Sequence, residues 1–380
     1  MSLTENPAPA PTTEDAAPKK PRRLRRLGVR LVVGLTVSWA AFLVAHLVLA
    51  GRVWWWSLIE MVPPFALLVP PLLLALCAMA LARGKRWRLW IVHLAVFAIA
   101  YPIAGINLSA LFTGPPGEGT ADVSVFTWNA DYWHYRWDDA DEFYDYLLAQ
   151  DADVYLLTEY LTRTDRVEII DDEAALREHF PDYELVIASE MVTLSRFPIV
   201  ESEALDTEAL IDEGDPGAPP ADDPWREYWT TKILRTDIDV DGQVVSMYNL
   251  HLSVPVPTGE ASPLSADFYE YVRSQYQRRT SQFTVLNEDI DANPHPVFIG
   301  GDLNSTILSA GVASLRDRLD CPDPDSVMPV SWPSIRFPFP KWWRLDWVCT
   351  GPGLGVAEYA IVSSEGLSDH DAQMVGLDIR

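Results

Sequence analysis

Three long apolar runs in the first 112 residues limit the folds open to this chain more than any other feature. They cover about residues 29–50, 59–82 and 89–112. Each is long enough to cross a bilayer, which takes about 20 apolar residues in a helix. Two proline pairs in the second run would kink a membrane helix without preventing it from spanning. The pattern predicts a membrane domain of three transmembrane helices over residues 28–112.

Clusters of Lys and Arg precede the first and third runs, at residues 19–26 (KKPRRLRR) and 83–88 (RGKRWR). Basic loops stay on the cytoplasmic side of a membrane. An odd number of spans then places everything after Thr113 on the extracytoplasmic side of the cell membrane. A cleaved signal peptide is the alternative for the first run, but its length and the two runs that follow favour a multi-pass protein.

Composition divides the rest of the chain. Residues 1–27 form a basic tail rich in Pro, Ala and Thr that is predicted to be disordered. Residues 113–121 form a Pro/Gly linker, and residues 122–380 form one further domain. Of the 29 Lys/Arg and 54 Asp/Glu, 12 and 4 precede residue 113, which leaves a formal net charge of −33 on residues 113–380. This charge disfavours a non-specific nucleic-acid scaffold and favours a small substrate or one handled through a bound cation.

The three cysteines show no metal-ligand spacing. Cys77 lies in the second apolar run. Cys321 and Cys349 pair if their domain is exported, or else are two small buried apolar side chains.

Beyond the linker, short apolar runs alternate with a few helical patterns. Two runs flank Asp241 and Gly242 and indicate a hairpin with a tight turn. Helical spacing appears at residues 138–150 and about 266–290. This order predicts a layered α/β domain built on largely antiparallel sheets.

Several apolar runs end in polar residues of the kind that hydrolytic sites use. Asn129, Glu159 and His251 each follow such a run, and Asp302 and Asn304 follow another across two glycines. Residues two apart in extended chain point the same way, so Asp302 and Asn304 are expected to face one site. Taken singly, each has a structural explanation, such as a solvated acid or an Asx turn. Their combination predicts one shared site.

The polar strand ends belong to a larger set of motifs: FTWN (126–129), LTE (157–159), LSRFPI (194–199), NLH (249–251), GDLN (301–304), RLDW (344–347) and SDH (368–370). This set resembles the endonuclease/exonuclease/phosphatase superfamily, which includes DNase-I-like nucleases, inositol polyphosphate 5-phosphatases and neutral sphingomyelinases. The resemblance covers about residues 122–379. It implies a four-layer α/β/β/α sandwich (DNase-I-like) with one metal-dependent phosphoesterase site, and it does not specify the substrate.

The resemblance implies a metal site built on Glu159. This residue is the expected main ligand of Mg²⁺ or Mn²⁺, with Asn129 and Asp369 beside it, since hard oxygen ligands suit these ions. Asn129 is also expected to contact the substrate. Thr158 stands where the family commonly has Gln, which leaves open which groups hold the Glu159 side chain in position.

The remaining residues take hydrolytic roles by the same resemblance. Asp302 is expected to position and deprotonate the attacking water. His251 and Asn304 are expected to bind phosphate oxygens as these gain charge. Asp346 is expected to raise the pKa of His370, which keeps that imidazole protonated near neutral pH.

These features predict a membrane-anchored, divalent-metal-dependent phosphoesterase that hydrolyses a phosphodiester by in-line attack of water. The substrate stays open between a lipid or small phosphodiester and nucleic acid. A basic patch of Arg273, Arg278 and Arg279 is interpreted as a solvated helix face. The aromatic loop 331–344 either packs locally or touches the bilayer interface. The alternatives are an extracellular nuclease of DNase-I type and a catalytically silent membrane receptor or scaffold. No obligate protein partner is inferred.

Overall fold

A computed structural model of the chain describes residues 22–81, 86–112, 121–136, 140–163, 167–219, 222–223, 225–257, 262–335 and 340–380. Most of the predicted tail and linker, and residues 336–339 of the aromatic loop, lie outside these ranges. The helices are α1 (Arg22–Leu49), α2 (Ser57–Glu60), α3 (Val69–Leu81), α4 (Arg86–Ala100), α5 (Ala140–Ala149), α6 (Glu173–His179), α7 (Arg226–Thr230), α8 (Ala266–Ala292) and α9 (Ala310–Arg316).

The strands follow residue 121. They are β1 (Val123–Asn129), β2 (Val154–Thr158), β3 (Leu161–Arg163), β4 (Val167–Ile169), β5 (Glu184–Ala188), β6 (Met191–Ser195), β7 (Ile199–Asp206), β8 (Thr231–Val240), β9 (Gln243–His251), β10 (Val297–Asp302), β11 (Asp346–Thr350), β12 (Leu354–Val362) and β13 (Ala372–Ile379). One sheet has the order β12-β13-β1-β2-β6-β5, a second has the order β11-β10-β9-β8-β7, and β3 pairs with β4. The prediction of an α/β domain with two main sheets is confirmed.

Most neighbouring strands run antiparallel, as the sequence predicts. The β8–β9 hairpin turns at Asp241 and Gly242, both with positive φ, and Val240 pairs with Gln243 across the turn. This is the two-residue hairpin turn that suits the strand twist. The exceptions are two parallel pairs, β1 with β2 and β9 with β10. Each parallel pair brings two carboxyl ends to the same edge of its sheet.

Three hydrophobic clusters hold this part of the chain together. Alternate side chains of β1 serve two of them, because successive residues of a strand point to opposite faces. Val125 packs in a cluster that also contains Met247 and Phe298 of the second sheet. Phe126 packs in a cluster with Phe143 of α5. The third cluster joins the second sheet to α8 and α9.

Two N-terminal stretches, Leu24–Leu49 and Pro64–Leu81, are long and apolar enough to cross a membrane, and the first also passes as a signal sequence. The sequence predicted three such helices; within the described ranges the structure supports two. The third apolar stretch, Trp90–Ile103, is shorter. Its 14 residues reach roughly 21 Å as a helix, less than the ~30 Å of a hydrocarbon core.

The N-terminal helices contact the rest of the chain directly. Leu308, which lies six residues beyond the end of β10, is buried in a cluster with Leu43, Leu67 and Val96. Residues 51–64, called the connecting segment below, lie between α1 and α3 and include α2. The Thr306 hydroxyl donates to the carbonyl oxygen of Glu60 at 2.5 Å. The two parts of the molecule therefore share a packed contact.

Cys321 and Cys349 form a disulfide with a sequence separation of 28 residues. Closing a loop of this size is expected to stabilise the folded state by roughly 3–4 kcal/mol, because it restricts the unfolded chain. Reduction of the full chain in detergent should therefore lower its thermal unfolding midpoint. Cys77, which is free, provides the control, since Cys77→Ala should leave the response to reductant unchanged. Equal midpoints with and without reductant would contradict the prediction.

Candidate active site

Polar side chains collect at one edge shared by the two main sheets. Asn129 ends β1 and pairs with Thr158 at the end of β2. His251 ends β9 and pairs with Asp302 at the end of β10. Asp302 also pairs with Asp346, the first residue of the antiparallel β11. Strand pairing therefore brings residues from distant parts of the sequence to one place.

Glycine is required where β10 approaches β9. Gly301 has a φ of +138°, and a Cβ added there would lie 2.2 Å from the carbonyl oxygen of Leu250. No side chain fits in that space, so the GD pair of the motif reflects close strand packing. The requirement for glycine at this position therefore comes from the neighbouring backbone of β9.

Asn129 links the two central carboxylates. Its Nδ2 lies 3.1 Å from Glu159 Oε1 and 3.1 Å from Asp302 Oδ2. Its Oδ1 accepts the backbone N–H of Asp131 at 3.0 Å, which fixes the orientation of the amide. Only one lone pair of that oxygen is left for a metal ion, so the geometry favours Asn129 as a donor that orients the carboxylates.

Glu159 occupies a left-handed backbone conformation, with φ of 62°, directly after β2. Its Oε2 accepts the backbone N–H of Tyr132 at 3.2 Å. Burial, together with the nearby charges of Asp131, Glu190 and Asp369, raises the pKa of Glu159 to about 7 in the absence of a cation. A carboxylate held among other acids in this way is suited to a divalent cation.

Thr158 departs from the family motif, and the structure shows the consequence. Its side chain is buried, and Oγ1 has no hydrogen-bond partner within the part of the chain that the structure describes. The support of Glu159 therefore comes from Asn129 and from the backbone N–H of Tyr132.

Asp302 accepts several hydrogen bonds, and two of them come from Asn304. The Asn304 backbone N–H donates to Oδ1 at 2.7 Å, and Asn304 Nδ2 donates to Oδ2 at 3.1 Å. Asn304 Nδ2 also donates to the carbonyl oxygen of Leu252 at 2.9 Å. Both amide hydrogens of Asn304 are thus used within the protein, and its expected contact with phosphate has no free donor in this arrangement.

His251 lies between a buried acid and the centre of the site. Its Nδ1 forms an ion pair with Glu190 Oε2 at 2.9 Å, and its Nε2 lies 3.7 Å from Glu159 Oε1 and 3.9 Å from Asp302 Oδ2. Burial alone lowers the pKa of His251, but Glu190 and Glu159 outweigh that effect and raise it. Lys232, itself buried, pairs with the other oxygen of Glu190.

His370 approaches Asp302 from the side of β13. Its Nδ1 lies 2.9 Å from Asp346 Oδ2, and its Nε2 lies 3.6 Å from Asp302 Oδ2. Burial opposes the charged imidazole, yet Asp346 and Asp302 together raise the pKa of His370 well above its usual value. A carboxylate on each side therefore favours the protonated ring.

Asp369 lies beside this group and is partly exposed. Its Oδ1 is 4.0 Å from His370 Nε2, and its backbone N–H donates to Asp131 Oδ2 at 3.3 Å. Trp332 Nε1 donates to Asp369 Oδ2 at 3.2 Å. The aromatic loop 331–344 thus contacts a predicted metal ligand through Trp332.

A second group of possible metal ligands overlaps this site. Ligand atoms of Asp302, Asp346 and His370 lie within 4.8 Å of one another, and all three residues are buried. This group differs from the predicted set of Glu159, Asn129 and Asp369. This group includes an imidazole, whereas the oxygen ligands around Glu159 are of the kind that Mg²⁺ or Mn²⁺ prefers.

Three residues at this site were missed by the sequence analysis: Asp131, Glu190 and Lys232. Glu190 follows Ser189 in the tight turn between β5 and β6, where Ser189 has positive φ. An acid in such a turn is usually exposed, so only its position between two apolar strands could have drawn attention to it. Lys232 is the second residue of β8 and is buried, and a buried cation requires a buried anion.

A comparison with protein-family models matches residues 126–370 to the Endonuclease/Exonuclease/phosphatase family. No curated protein matches the chain. Among solved structures, an endonuclease/exonuclease/phosphatase family protein from Leptotrichia buccalis C-1013-b is similar, with a TM-score of 0.47, 16% identity, and coverage of 68% of this chain and 100% of that one. Sphingomyelinase C from Streptomyces griseocarneus has a TM-score of 0.43, 20% identity, and coverage of 67% and 98%.

The family match spans β1 to the loop before β13, so it includes every strand end that contributes to the site. It agrees with the motif set and with the two main sheets. The chain belongs to the Endonuclease/Exonuclease/phosphatase family.

Proposed function

We propose that this protein is a divalent-metal-dependent phosphoesterase that hydrolyses a phosphodiester by in-line attack of water. Members of its family generally hydrolyse phosphoesters. The observation that carries the proposal is that two acids from different strand ends meet at Asn129. Its Nδ2 lies 3.1 Å from both Glu159 and Asp302. A domain of four layers, α/β/β/α, is part of the proposal, supported by the cluster between the sheets and the helices packed on each.

In this proposal Asp302 accepts the proton of the attacking water as the new P–O bond forms. The surrounding donors hold the carboxylate in one orientation, and general base catalysis depends on that geometry. His251, held by Glu190, donates through Nε2 to a phosphoryl oxygen as its charge grows. Asn304 acts by fixing Asp302 against the loop at Leu252.

His370 completes the reaction in the proposed scheme. Protonated and oriented by Asp346, it gives the proton on Nε2 to the leaving oxygen as the ester P–O bond breaks. Glu159 and Asp369 would hold the cation, and Asn129 would orient Glu159 through Nδ2. When bound there, a divalent cation supplies Lewis-acid stabilisation of phosphoryl charge.

For the substrate we favour a phosphodiester at a bilayer surface, such as a lipid headgroup, over nucleic acid. The loop that begins at Asp302 reaches the N-terminal helices within six residues, at Leu308. The formal net charge of −33 on residues 113–380 would also repel a polyanion. Nucleic acid is the second substrate class in the assay below.

The test is hydrolysis by the full chain in lipid nanodiscs. We expect release of phosphorylated headgroup or of a phosphodiester cleavage product in Mg²⁺ or Mn²⁺, loss of activity in EDTA, and recovery when the metal is returned. Phospholipids, a bis-aryl phosphodiester, DNA and RNA are compared in parallel. Absence of turnover on all of them would support the receptor or scaffold alternative, and turnover on DNA alone would support the nuclease.

We further propose that α1 and α3 anchor the protein in the cell membrane and that the catalytic domain lies on the extracytoplasmic side. The Cys321–Cys349 disulfide supports that location, because such bonds persist in oxidising compartments. A reporter fused after Arg380 should be active only outside the cytoplasm. Cytoplasmic activity of this reporter would reject the proposed sidedness.

Replacing Asp346 with Asn is expected to lower kcat by about 10²-fold, within the usual range for general acid–base groups. The variant keeps the size of the side chain but removes the anion that holds His370 in its protonated form. The KM for substrate should change little, since Asp346 faces His370. Steady-state kinetics on the same phosphodiester measure both constants, and an unchanged kcat would contradict the proposed role of the pair.

A further inference from the structure

Arg279 is buried within the molecule, whereas the sequence predicts that it belongs to a solvated helix face. It lies on α8 and is 9% exposed. Its Nη1 donates to the carbonyl oxygen of Ser253. Its Nη2 lies 3.2 Å from the carbonyl oxygen of Leu303 and contacts Ser305 Oγ. One guanidinium therefore joins two loops that are about 50 residues apart in the sequence.

These two loops carry the proposed water-activating and phosphate-binding groups. Ser253 is two residues beyond His251, and Leu303 directly follows Asp302. The loops also meet through the backbone N–H of Leu252, which donates to the carbonyl oxygen of Asp302 at 2.9 Å. Arg279 has the planar fork of donors needed to hold both loops at a defined separation.

The connecting segment faces Arg279 across a cavity. Glu60 and Arg279 border the same cavity of about 220 Å³, and the charge of Glu60 favours the charged guanidinium. Tyr276, one turn earlier on α8, donates to the carbonyl oxygen of Gly51 at 2.8 Å. Thr306, in the loop that follows Asp302, donates to the carbonyl oxygen of Glu60. This loop therefore contacts the connecting segment directly.

The charge of Arg279 is retained despite burial. Burial lowers the pKa of Arg279 to about 10, while Glu60 and Asp302 oppose that effect. The group stays protonated at neutral pH. It therefore supplies a permanent positive charge next to the loop of Asp302 without entering the reaction.

We propose that Arg279 is a positioning residue that sets the separation of His251 and Asp302, and that the connecting segment holds it in place. The N-terminal helical part then contributes to the construction of the hydrolytic site as well as to anchoring. This inference rests on the proposed phosphoesterase function for its kinetic test, and a structural test separates the two.

The kinetic test compares Arg279→Lys with wild type, as full chains in nanodiscs. Lysine keeps the charge but lacks the planar set of guanidinium donors. The loops at Ser253 and Leu303 should therefore lose their fixed separation. We expect kcat to fall by about 10²-fold, the effect of a displacement of about 1 Å at a catalytic group, with KM changed less than threefold. In Arg279→Ala, added guanidinium should restore part of kcat, because the adjoining cavity gives it access.

Arg278→Ala is the matched control. Arg278 is the next residue on the same helix, but its Nε donates to the carbonyl oxygen of Gly217 at 2.7 Å and its guanidinium lies over the ring of Trp229. Its removal should leave kcat within twofold of wild type. Thr306→Val tests the connecting segment and should lower kcat by about threefold to tenfold, the effect of about one hydrogen bond.

Hydrogen exchange provides a readout that needs no turnover. Loss of the Arg279 fork should speed exchange of the backbone amides of Leu252, Leu303 and Asn304 in Arg279→Lys, with no such change in Arg278→Ala. If wild type hydrolyses no phosphoester, the proposed function fails while this measurement still decides the positioning role. Unchanged exchange at these amides, or a KM that rises as much as kcat falls, would overturn the inference.

Discussion

Replacing Asp302 with Asn is expected to reduce kcat by about 10³-fold, because an amide cannot take a proton from water and general bases contribute about 10²–10⁴-fold. The change preserves shape, and the donors around Oδ1 and Oδ2 belong to Asn129 and Asn304. One oxygen can keep its hydrogen bonds while the position of the new NH₂ loses them. We therefore expect some loss of stability beside the larger loss of rate.

A matched control separates these two effects. Asp237 on β8 is also buried and lies 3.6 Å from Arg235 through its Oδ1, but it does not belong to the strand-end site. Asp237→Asn should lower the thermal unfolding midpoint and leave kcat within twofold of wild type. Steady-state hydrolysis and thermal unfolding are measured on both variants. A kcat for Asp302→Asn within tenfold of wild type would remove Asp302 from the proton transfer.

Replacing Glu159 with Gln is the second change with a large expected effect. The variant loses the carboxylate that is proposed to bind the cation, and even residues that act through a ligand change metal affinity by about 10–100-fold. We expect the Mg²⁺ concentration for half-maximal activity to rise by more than about 100-fold. At fixed low Mg²⁺, hydrolysis should be lost, and excess Mn²⁺ should restore only part of it.

Metal binding by this residue can also be measured without substrate. A ligand that binds the folded state alone raises the unfolding midpoint by mass action, so Mg²⁺ should stabilise wild type and not Glu159→Gln. Glu203→Gln is the control, since Glu203 is exposed on β7 and pairs with Arg235. A Mg²⁺-induced shift of equal size in Glu159→Gln and wild type would place the cation elsewhere, with the group of Asp302, Asp346 and His370 as the next candidate.

Local sequence was a good guide where a feature depends on neighbouring residues. The hairpin at Asp241 and Gly242 follows from the positive φ that two-residue turns require. The polar residues at the ends of β1, β9 and β10 could be located because each follows an apolar run in the sequence, although all three are buried in the structure. The proposed site residues were therefore identifiable before any contact between them was known.

Features that depend on distant partners were not predictable in this way. Asn304 was expected to face phosphate, but its amide hydrogens bind Asp302 and Leu252. Arg279 was expected to be solvated, yet it is buried against Ser253 and Leu303. In each case the partner of a polar group is chosen by strand pairing and helix packing, and burial makes an unsatisfied donor costly.

The sequence by itself determined the family, the two-sheet α/β class and the residue types at the strand ends, since these rest on motifs and periodicities within a few residues. Only the tertiary structure decided that His251 pairs with Glu190, which in turn pairs with Lys232. It also decided that two and not three described helices have the length of a membrane span, and that the loop after Asp302 contacts the connecting segment. Those outcomes depend on which donors, acceptors and apolar faces meet in space, and residues far apart in the chain meet only when their sheets and helices pack.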